Sequence, residues 1–141
     1  MMPVQLRWSD LDPNFHIRHS VYYDWGAMAR ISFFNEHGIT PEVMMRLHFG
    51  PIIFREECIF RKEIRSGDQI YIDAKLLLAR KDYSRFSIRH SITKEDGTIC
   101  CSLPVDIAWL DTKIRKLAIP PFEIVEVFDK IPRDDEFKWS N

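Results

Sequence analysis

The sequence predicts an α+β fold in which a long central helix is wrapped by a curved antiparallel β-sheet. The stretch from His19 to His37 is apolar with few charges, whereas four later segments alternate between apolar and polar residues. Turn sequences at 66–69 and 95–98 are typical of hairpins between strands. A helix that is apolar nearly all round needs cover on several sides, and a curved sheet provides it.

The helix is predicted from about Ser20 to His37. Its apolar stripe contains Val21, Trp25, Met28 and Ser32, and is widened by Tyr22, Ala29 and Phe33. Gly26 costs about 1 kcal/mol of helix propensity relative to alanine, which indicates close approach by a neighbouring backbone. Gly38 ends the helix and Pro41 follows, with room for one more helical turn before residue 49.

The four alternating segments span about 52–64, 69–78, 85–93 and 99–109. This pattern is typical of antiparallel strands with one buried face. Pro104 cannot donate a hydrogen bond to a neighbouring strand, which indicates an edge or a bulge. After Pro120 and Pro121, a short helix is predicted over 122–128, followed by frayed, charged residues.

Composition narrows the class of protein. With 141 residues we expect a single domain over 1–141, with a core at about 4–120 and a tail at about 121–141. A net charge of -1 gives no reason to expect nucleic acid or an anionic membrane as a partner. Neither a membrane-spanning run nor a signal peptide is expected, and Cys58, Cys100 and Cys101 look like reduced thiols, so a cytoplasmic location is predicted.

The loop before the helix, residues 10–16, contains the candidate catalytic residue. Asp12 lies just ahead of a helix N-terminus, where backbone N–H groups lack partners and can stabilise an oxyanion. A carboxylate there can attack a carbonyl carbon or deprotonate a water molecule, which points to acyl transfer. The alternative is that Asp12, which precedes Pro13, is a turn or cap residue. Asp10 is expected to hold the loop.

The order of loop, helix and four long strands resembles the hotdog fold, and the loop resembles that of the 4-hydroxybenzoyl-CoA thioesterase family. That family carries Asp-x-Asp-x-x-Gly-His/Ile-Val, then a Tyr and a helix that often ends in Ala-Arg. The corresponding segment here is 10–22, with Ala29-Arg30 following, and Gly50-Pro51 and the turn at 65–68 are also similar. The resemblance implies an acyl-CoA thioesterase with Asp12 as nucleophile or general base.

The same resemblance assigns further site residues. Backbone N–H groups near His19 and Ser20 would bind the thioester oxygen, and His16 would hydrogen-bond within the loop or contact the substrate. Two positions depart from the family pattern: Phe15 replaces its glycine and Arg18 replaces an asparagine. The glutamate that related enzymes carry in the helix is also absent, which leaves Asp12 as the one matching carboxylate.

A basic cluster at Arg80, Lys81 and Arg85 is a candidate for binding coenzyme A phosphates, because guanidinium and ammonium groups pair with phosphate. The alternative is a solvated turn. CoA would be part of the substrate, so no separate cofactor is expected. His16 and His19 lie three apart, but no further ligands complete a zinc site, so no metal is expected.

Other functions remain open. The thioester could be carried by an acyl-carrier protein instead of CoA, and a non-catalytic or weakly active acyl-binding domain is a further alternative. A hotdog dehydratase would need an Asp and His pattern that the sequence lacks. The long sheet edge predicts a homo-oligomer, either a dimer or a tetramer, with sites near the subunit boundary. The length and aromaticity of the acyl group do not follow from the sequence.

Overall fold

The computed structural model describes all residues, 1–141, and has one nine-stranded sheet and three α-helices. The helices are α1 (Val21–Glu36), α2 (Pro41–Leu47) and α3 (Phe122–Phe128). The strands are β1 (Met2–Val4), β2 (Phe49–Glu56), β3 (Ile59–Phe60), β4 (Ile70–Ile72), β5 (Lys75–Arg80), β6 (Arg85–Lys94), β7 (Ile99–Asp111), β8 (Lys116–Leu117) and β9 (Arg133–Ser140). None of the helices is both long and apolar enough to span a membrane.

Strands β6 and β7 form the centre of the sheet. Beyond β6 lie β4 and β5, which are two pieces of one long strand, and beyond β7 lie β2, β3 and β8. Every pair is antiparallel except β5 with β9. The four predicted alternating segments therefore become β2 with β3, β4 with β5, β6 and β7. The predicted α+β class is confirmed.

Helix α1 is buried on one side only. Its buried face is centred on Tyr22, Ala29 and Phe33, whereas the side chains of Met28 and Ile31 are 59% and 56% exposed. The prediction of a helix enclosed all round is therefore wrong at Met28. The reason is that the sheet of one chain covers a single face, and Met28 lies just outside the margin of that face.

A buried polar network joins α1 to the sheet at Gly26. A side chain at this position would meet His90 at 3.5 Å and Leu103 at 3.7 Å, so the close approach is by side chains and not by backbone. The His90 ring contacts the Asp73 carbonyl oxygen through Nδ1 at 2.9 Å and Arg30 through Nε2 at 3.2 Å. Burial lowers the pKa of His90 to about 4, and the Arg30 charge acts in the same direction.

The break between β2 and β3 explains why a proline is tolerated at position 104. This residue lies inside the sheet, opposite the break between β2 and β3, where the Glu57 N–H donates to its carbonyl oxygen at 3.1 Å. The irregularity predicted at Pro104 thus lies in the neighbouring strand. The apolar face predicted for the first segment is covered only in part, because Ile64 is buried whereas Phe54 and Phe60 each remain 52% exposed.

The C-terminal residues differ from the prediction. The short helix over 122–128 is confirmed as α3, but the charged residues after it form β9 instead of fraying. Aromatic residues in β9 hold cations: the Arg133 guanidinium lies 4.6 Å from the Phe137 ring centroid, and the Lys81 ammonium lies 5.2 Å from that of Trp139. Arg89 of β6 also pairs with Asp134 at 3.1 Å. The contacts with Lys81 and Arg89 hold this charged segment against the sheet.

Candidate active site

The loop between a short 3₁₀ turn at Trp8–Asp10 and α1 is closed by its own backbone. The Asp12 N–H donates to the His16 carbonyl oxygen at 2.7 Å, and the Phe15 N–H donates to the Asp12 carbonyl oxygen at 3.0 Å. Phe15 has a φ of 62°, the left-handed conformation that glycine adopts most easily. For a residue with a Cβ this costs roughly 1–2 kcal/mol. Phe15 therefore adopts a backbone conformation that favours glycine, and its ring lies 6.0 Å from that of Trp8.

The two oxygens of the Asp12 carboxylate have different environments. Oδ1 accepts backbone N–H groups from Asn14 at 2.9 Å and from His16 at 3.1 Å. Oδ2 accepts no hydrogen bond from the chain. Asp12 therefore stabilises the turn through one oxygen and keeps the other free for a ligand. The turn role and the chemical role are compatible.

Asp10 holds the loop, as expected. It is fully buried and accepts the Arg7 backbone N–H at 3.0 Å and the Arg7 guanidinium at 2.8 Å. Burial acts to raise the pKa of Asp10, but the hydrogen bonds from Arg7 outweigh it and hold that pKa below its usual value. Both carboxylate oxygens of Asp10 are thus engaged, which leaves Asp12 as the loop carboxylate with a free oxygen.

The start of α1 provides unpaired donors beside Asp12. Ser20 occupies the N-cap position, but its side chain accepts no hydrogen bond from the first turn. The backbone N–H groups of His19 and Ser20 have no acceptor in the chain, whereas that of Val21 donates to the Arg18 carbonyl oxygen at 3.1 Å. Two free donors at the positive end of a helix can stabilise a developing oxyanion.

A cleft of about 380 Å³ opens in front of these groups. On its apolar side the rings of Tyr22 and Phe60 pack edge to face with centroids 4.9 Å apart. On its polar side His16 Nε2 lies 3.6 Å from Glu63 Oε2. The full lining is Asp12, His16, Ile17, His19, Tyr22, Phe60, Arg61, Lys62, Glu63 and Ile64. The structure thus brings Asp12, His16 and His19 together, with Ser20 adjacent to His19.

Sequence reasoning missed the three consecutive charged residues Arg61, Lys62 and Glu63 of this cleft. They follow Phe60 in the first alternating segment, where alternation suggested only a solvated face. A hydrogen bond from Arg65 and the charge of His16 lower the pKa of Glu63. No local sequence pattern marks these residues, because their place in the cleft follows from the end of β3 at Phe60, after which the chain turns towards the loop.

The basic cluster of Arg80, Lys81 and Arg85 lies away from the cleft. Arg85 pairs with Ala108 at the beginning of β6, whereas the residue of β6 nearest the cleft wall, Ile92, pairs with Cys101. Seven residues of extended strand correspond to about 23 Å. Arg80 donates to the carbonyl oxygen of Asn141 at 3.1 Å, and Arg85 lies over the ring of Phe54. Within one chain the cluster and Asp12 are not brought together. No group of three or more His, Cys, Asp or Glu side chains is arranged to hold a metal ion.

Comparison with known proteins identifies the family. The model of the Thioesterase-like superfamily matches residues 6–128. The chain belongs to this superfamily. The matched range includes the loop, α1, the cleft and α3, so the whole candidate site of the superfamily member lies inside it. The narrower resemblance to 4-hydroxybenzoyl-CoA thioesterases stays a prediction. No curated protein matches the chain in sequence.

Solved structures agree on the fold. SAV2348 from Staphylococcus aureus, characterised in complex with CoA, has a TM-score of 0.83 at 19% identity, covering 90% of this chain and 79% of its own. A DHNA-CoA thioesterase from the same organism has a TM-score of 0.79 at 15% identity, with coverages of 92% and 87%. A Thermus thermophilus thioesterase complexed with coenzyme A and Zn has 0.73 at 26% identity, with 89% and 88%. The predicted hotdog fold is confirmed.

Proposed function

We propose that this superfamily member hydrolyses acyl-CoA thioesters to a free acid and coenzyme A, with Asp12 as nucleophile or general base. The observation that carries the proposal is the unshared Oδ2 of Asp12, a residue that lines the cleft together with His19, near two backbone N–H groups without acceptors. A negatively charged oxygen and a pair of oxyanion donors are the two groups that attack on a thioester carbonyl requires.

The proposed reaction follows from this arrangement. The thioester oxygen accepts hydrogen bonds from the N–H groups of His19 and Ser20, which stabilise the negative charge of the tetrahedral intermediate. In the nucleophilic route Asp12 Oδ2 attacks the carbonyl carbon, the C–S bond breaks, and water then hydrolyses the anhydride that is left on Asp12. In the general-base route Asp12 takes a proton from the water that attacks the carbonyl carbon, and the C–S bond then breaks. In both routes the thiolate of CoA leaves and takes up a proton. His16, held opposite Glu63, lies beside the substrate.

The identity of the thiol carrier is supported by the structural relatives. SAV2348 was characterised in complex with CoA, and the Thermus thermophilus thioesterase was complexed with coenzyme A and Zn. An acyl-carrier-protein thioester presents the same pantetheine arm and is the nearest alternative. A non-catalytic acyl-binding domain remains a second candidate, because the turn role of Asp12 Oδ1 needs no chemistry.

The phosphates of CoA have two candidate binding regions in this chain. Arg61 and Lys62 line the cleft itself, whereas the cluster of Arg80, Lys81 and Arg85 lies at the far end of β6. We propose that the cleft pair makes the nearer contact and that the cluster contributes only if a neighbouring subunit brings it to the cleft. Neutralising each group separately and measuring KM for an acyl-CoA at low and high salt distinguishes the two regions.

We further propose a homo-oligomer that pairs through the exposed edge of β2. This edge exposes Ile53 and Phe54, and the neighbouring face of α1 exposes Ile31, which lines one groove with Ile53. Apolar surface of this kind next to an unpaired strand favours association with a second copy. Light scattering at micromolar concentration tests the assembly, and a monomer would contradict it.

Thioester hydrolysis is tested with a panel of acyl-CoA substrates that differ in chain length and aromaticity, with detection of the free thiol. A matched panel of acyl-carrier-protein thioesters distinguishes the carrier. We expect turnover of at least one CoA thioester. Saturable binding of acyl-CoA without release of thiol would instead establish the acyl-binding alternative.

A further inference from the structure

Two cysteine thiols that the proposed mechanism does not use lie in contact beside the cleft. Cys58 lies in the break between β2 and β3, Cys101 lies in β7, and their Sγ atoms are 2.9 Å apart. Cys58 is half-buried, whereas Cys101 is fully buried. The third cysteine, Cys100, has the Thr98 carbonyl oxygen as its hydrogen-bond partner, at 3.8 Å, and no thiol. One pair of the three is therefore placed to be oxidised together.

The two thiols of this pair differ in reactivity. The hydrogen bond from Cys101 lowers the pKa of Cys58, whereas the same bond and burial raise the pKa of Cys101. The thiolate is the form that attacks an oxidant, and exposure decides which thiol the oxidant reaches. Cys58 is thus the attacking thiol and Cys101 the resolving one.

We propose that a peroxide converts Cys58 and Cys101 to a disulfide that acts as a reversible switch on the cleft. The Cys58 thiolate attacks one peroxide oxygen, the O–O bond breaks, and Cys58 becomes a sulfenic acid while the released hydroxide is protonated to water. The Cys101 sulfur then attacks the Cys58 sulfur, an S–S bond forms, and the sulfenic oxygen leaves as water with the Cys101 proton. A dithiol reductant restores both thiols.

The pair is connected to the cleft wall by a short segment. Cys58 lies two residues before Phe60, whose backbone pairs with Cys101 and whose ring packs on Tyr22 in the cleft. Because a disulfide holds its sulfurs about 2.05 Å apart, oxidation shortens the Sγ–Sγ separation by nearly 1 Å, and the segment from Cys58 to Phe60 takes up part of this change. A displacement of about 1 Å at a catalytic site can lower the rate by as much as 10²-fold. This effect on turnover rests on the proposed function, whereas disulfide formation does not.

The experiment treats the reduced protein with hydrogen peroxide and measures free thiols, disulfide-linked peptides and thioesterase activity. We expect a fall from three free thiols to one, a peptide linking residues 58 and 101, and lower turnover that a dithiol restores. The matched variants are Cys58→Ser, which should lose the disulfide and the sensitivity of activity, and Cys100→Ser, which should keep both.

Three results would overturn the proposal. These are retention of all three thiols under conditions that oxidise a model dithiol, a disulfide that contains Cys100, and a disulfide with unchanged activity. If no thioester is hydrolysed in any redox state, the proposed function fails, whereas peptide mapping of the unsubstituted protein still tests the pair. Hydrogen exchange of residues 58–64 then provides the readout of the cleft, and equal exchange in both redox states would refute the switch.

Discussion

Replacement of Asp12 by asparagine separates the chemical role of this residue from its structural role. The amide oxygen of the introduced asparagine can accept the same N–H groups, from Asn14 and His16, that Asp12 Oδ1 accepts at 2.9 and 3.1 Å. The free energy of unfolding should therefore change by only a few tenths of a kcal/mol, since Asn and Asp are nearly equal in such positions. The replacement removes the negative charge that the two oxygens of Asp12, a residue of the cleft lining, share.

Loss of that charge should lower kcat by about 10²–10⁴-fold, the usual contribution of a general base. This corresponds to roughly 2.7–5.4 kcal/mol of transition-state stabilisation. Asp12→Ala should add a loss of about 1–2 kcal/mol in stability, because it removes both loop hydrogen bonds. The combination of an inactive but stable Asn variant and an inactive, less stable Ala variant is what a double role predicts.

The assay is thiol release from the best acyl-CoA of the panel, together with urea unfolding of each variant. Asp96→Asn is the matched control, because Asp96 Oδ1 accepts the Thr98 N–H at 2.9 Å in a hairpin turn away from the cleft. This control should leave both kcat and stability nearly unchanged. A kcat within about twofold of the unsubstituted protein for Asp12→Asn would show that Asp12 is only a turn residue.

Three other predictions test the buried network, the cleft and the edge. His90 is protonated near its ordinary pKa of 6.5 in the unfolded state but only near 4 in the folded state. The free energy of unfolding should therefore fall by about 2 kcal/mol between pH 7 and pH 5. In urea unfolding, the His90→Gln variant should show a weaker dependence of this free energy on pH. Replacing Arg61 and Lys62 by Ala should raise KM for acyl-CoA and weaken its salt dependence, with kcat less affected; an unchanged KM would exclude phosphate contacts there. Ile53→Asp should dissociate the oligomer, as measured by light scattering. Ile114→Asp, on an exposed turn away from the edge, should leave the oligomer intact. An oligomer that persists in Ile53→Asp would show that the interface lies elsewhere.

Much of the fold is predictable because its signals are local. Alternation along β6 and β7, the stop at Gly38 and the turn glycines Gly67 and Gly97 each depend on a few neighbouring residues, and all three glycines have positive φ. The sequence of residues 10–22 likewise predicted a closed loop before a helix. These features need no knowledge of distant contacts.

The parts that sequence missed depend on contacts between distant segments. The charged segment that forms β9 reads as a frayed tail, because its cation–aromatic contact to Lys81 and its pairing with β5 join residues far apart in the chain. Arg61 and Lys62 read as a solvated face, because their place in the cleft depends on how the loop near Asp12 packs against β3. The sequence assigns Met28 to the core because it belongs to the apolar stripe of the helix. Periodicity defines this stripe but does not show which part of it the sheet covers.

The unequal roles of the two Asp12 oxygens have an evolutionary consequence under the proposed function. Aspartate and asparagine codons differ by a single base, and the exchange can replace only the oxygen that has no hydrogen bond within the chain. A lineage can therefore lose hydrolysis while the loop, the cleft and the fold persist, and the same reversal can restore it. Hydrolases of this architecture and inactive proteins that only bind thioesters can thus interconvert by one substitution. Because the substituted protein still folds, selection against unfolded protein does not oppose this change.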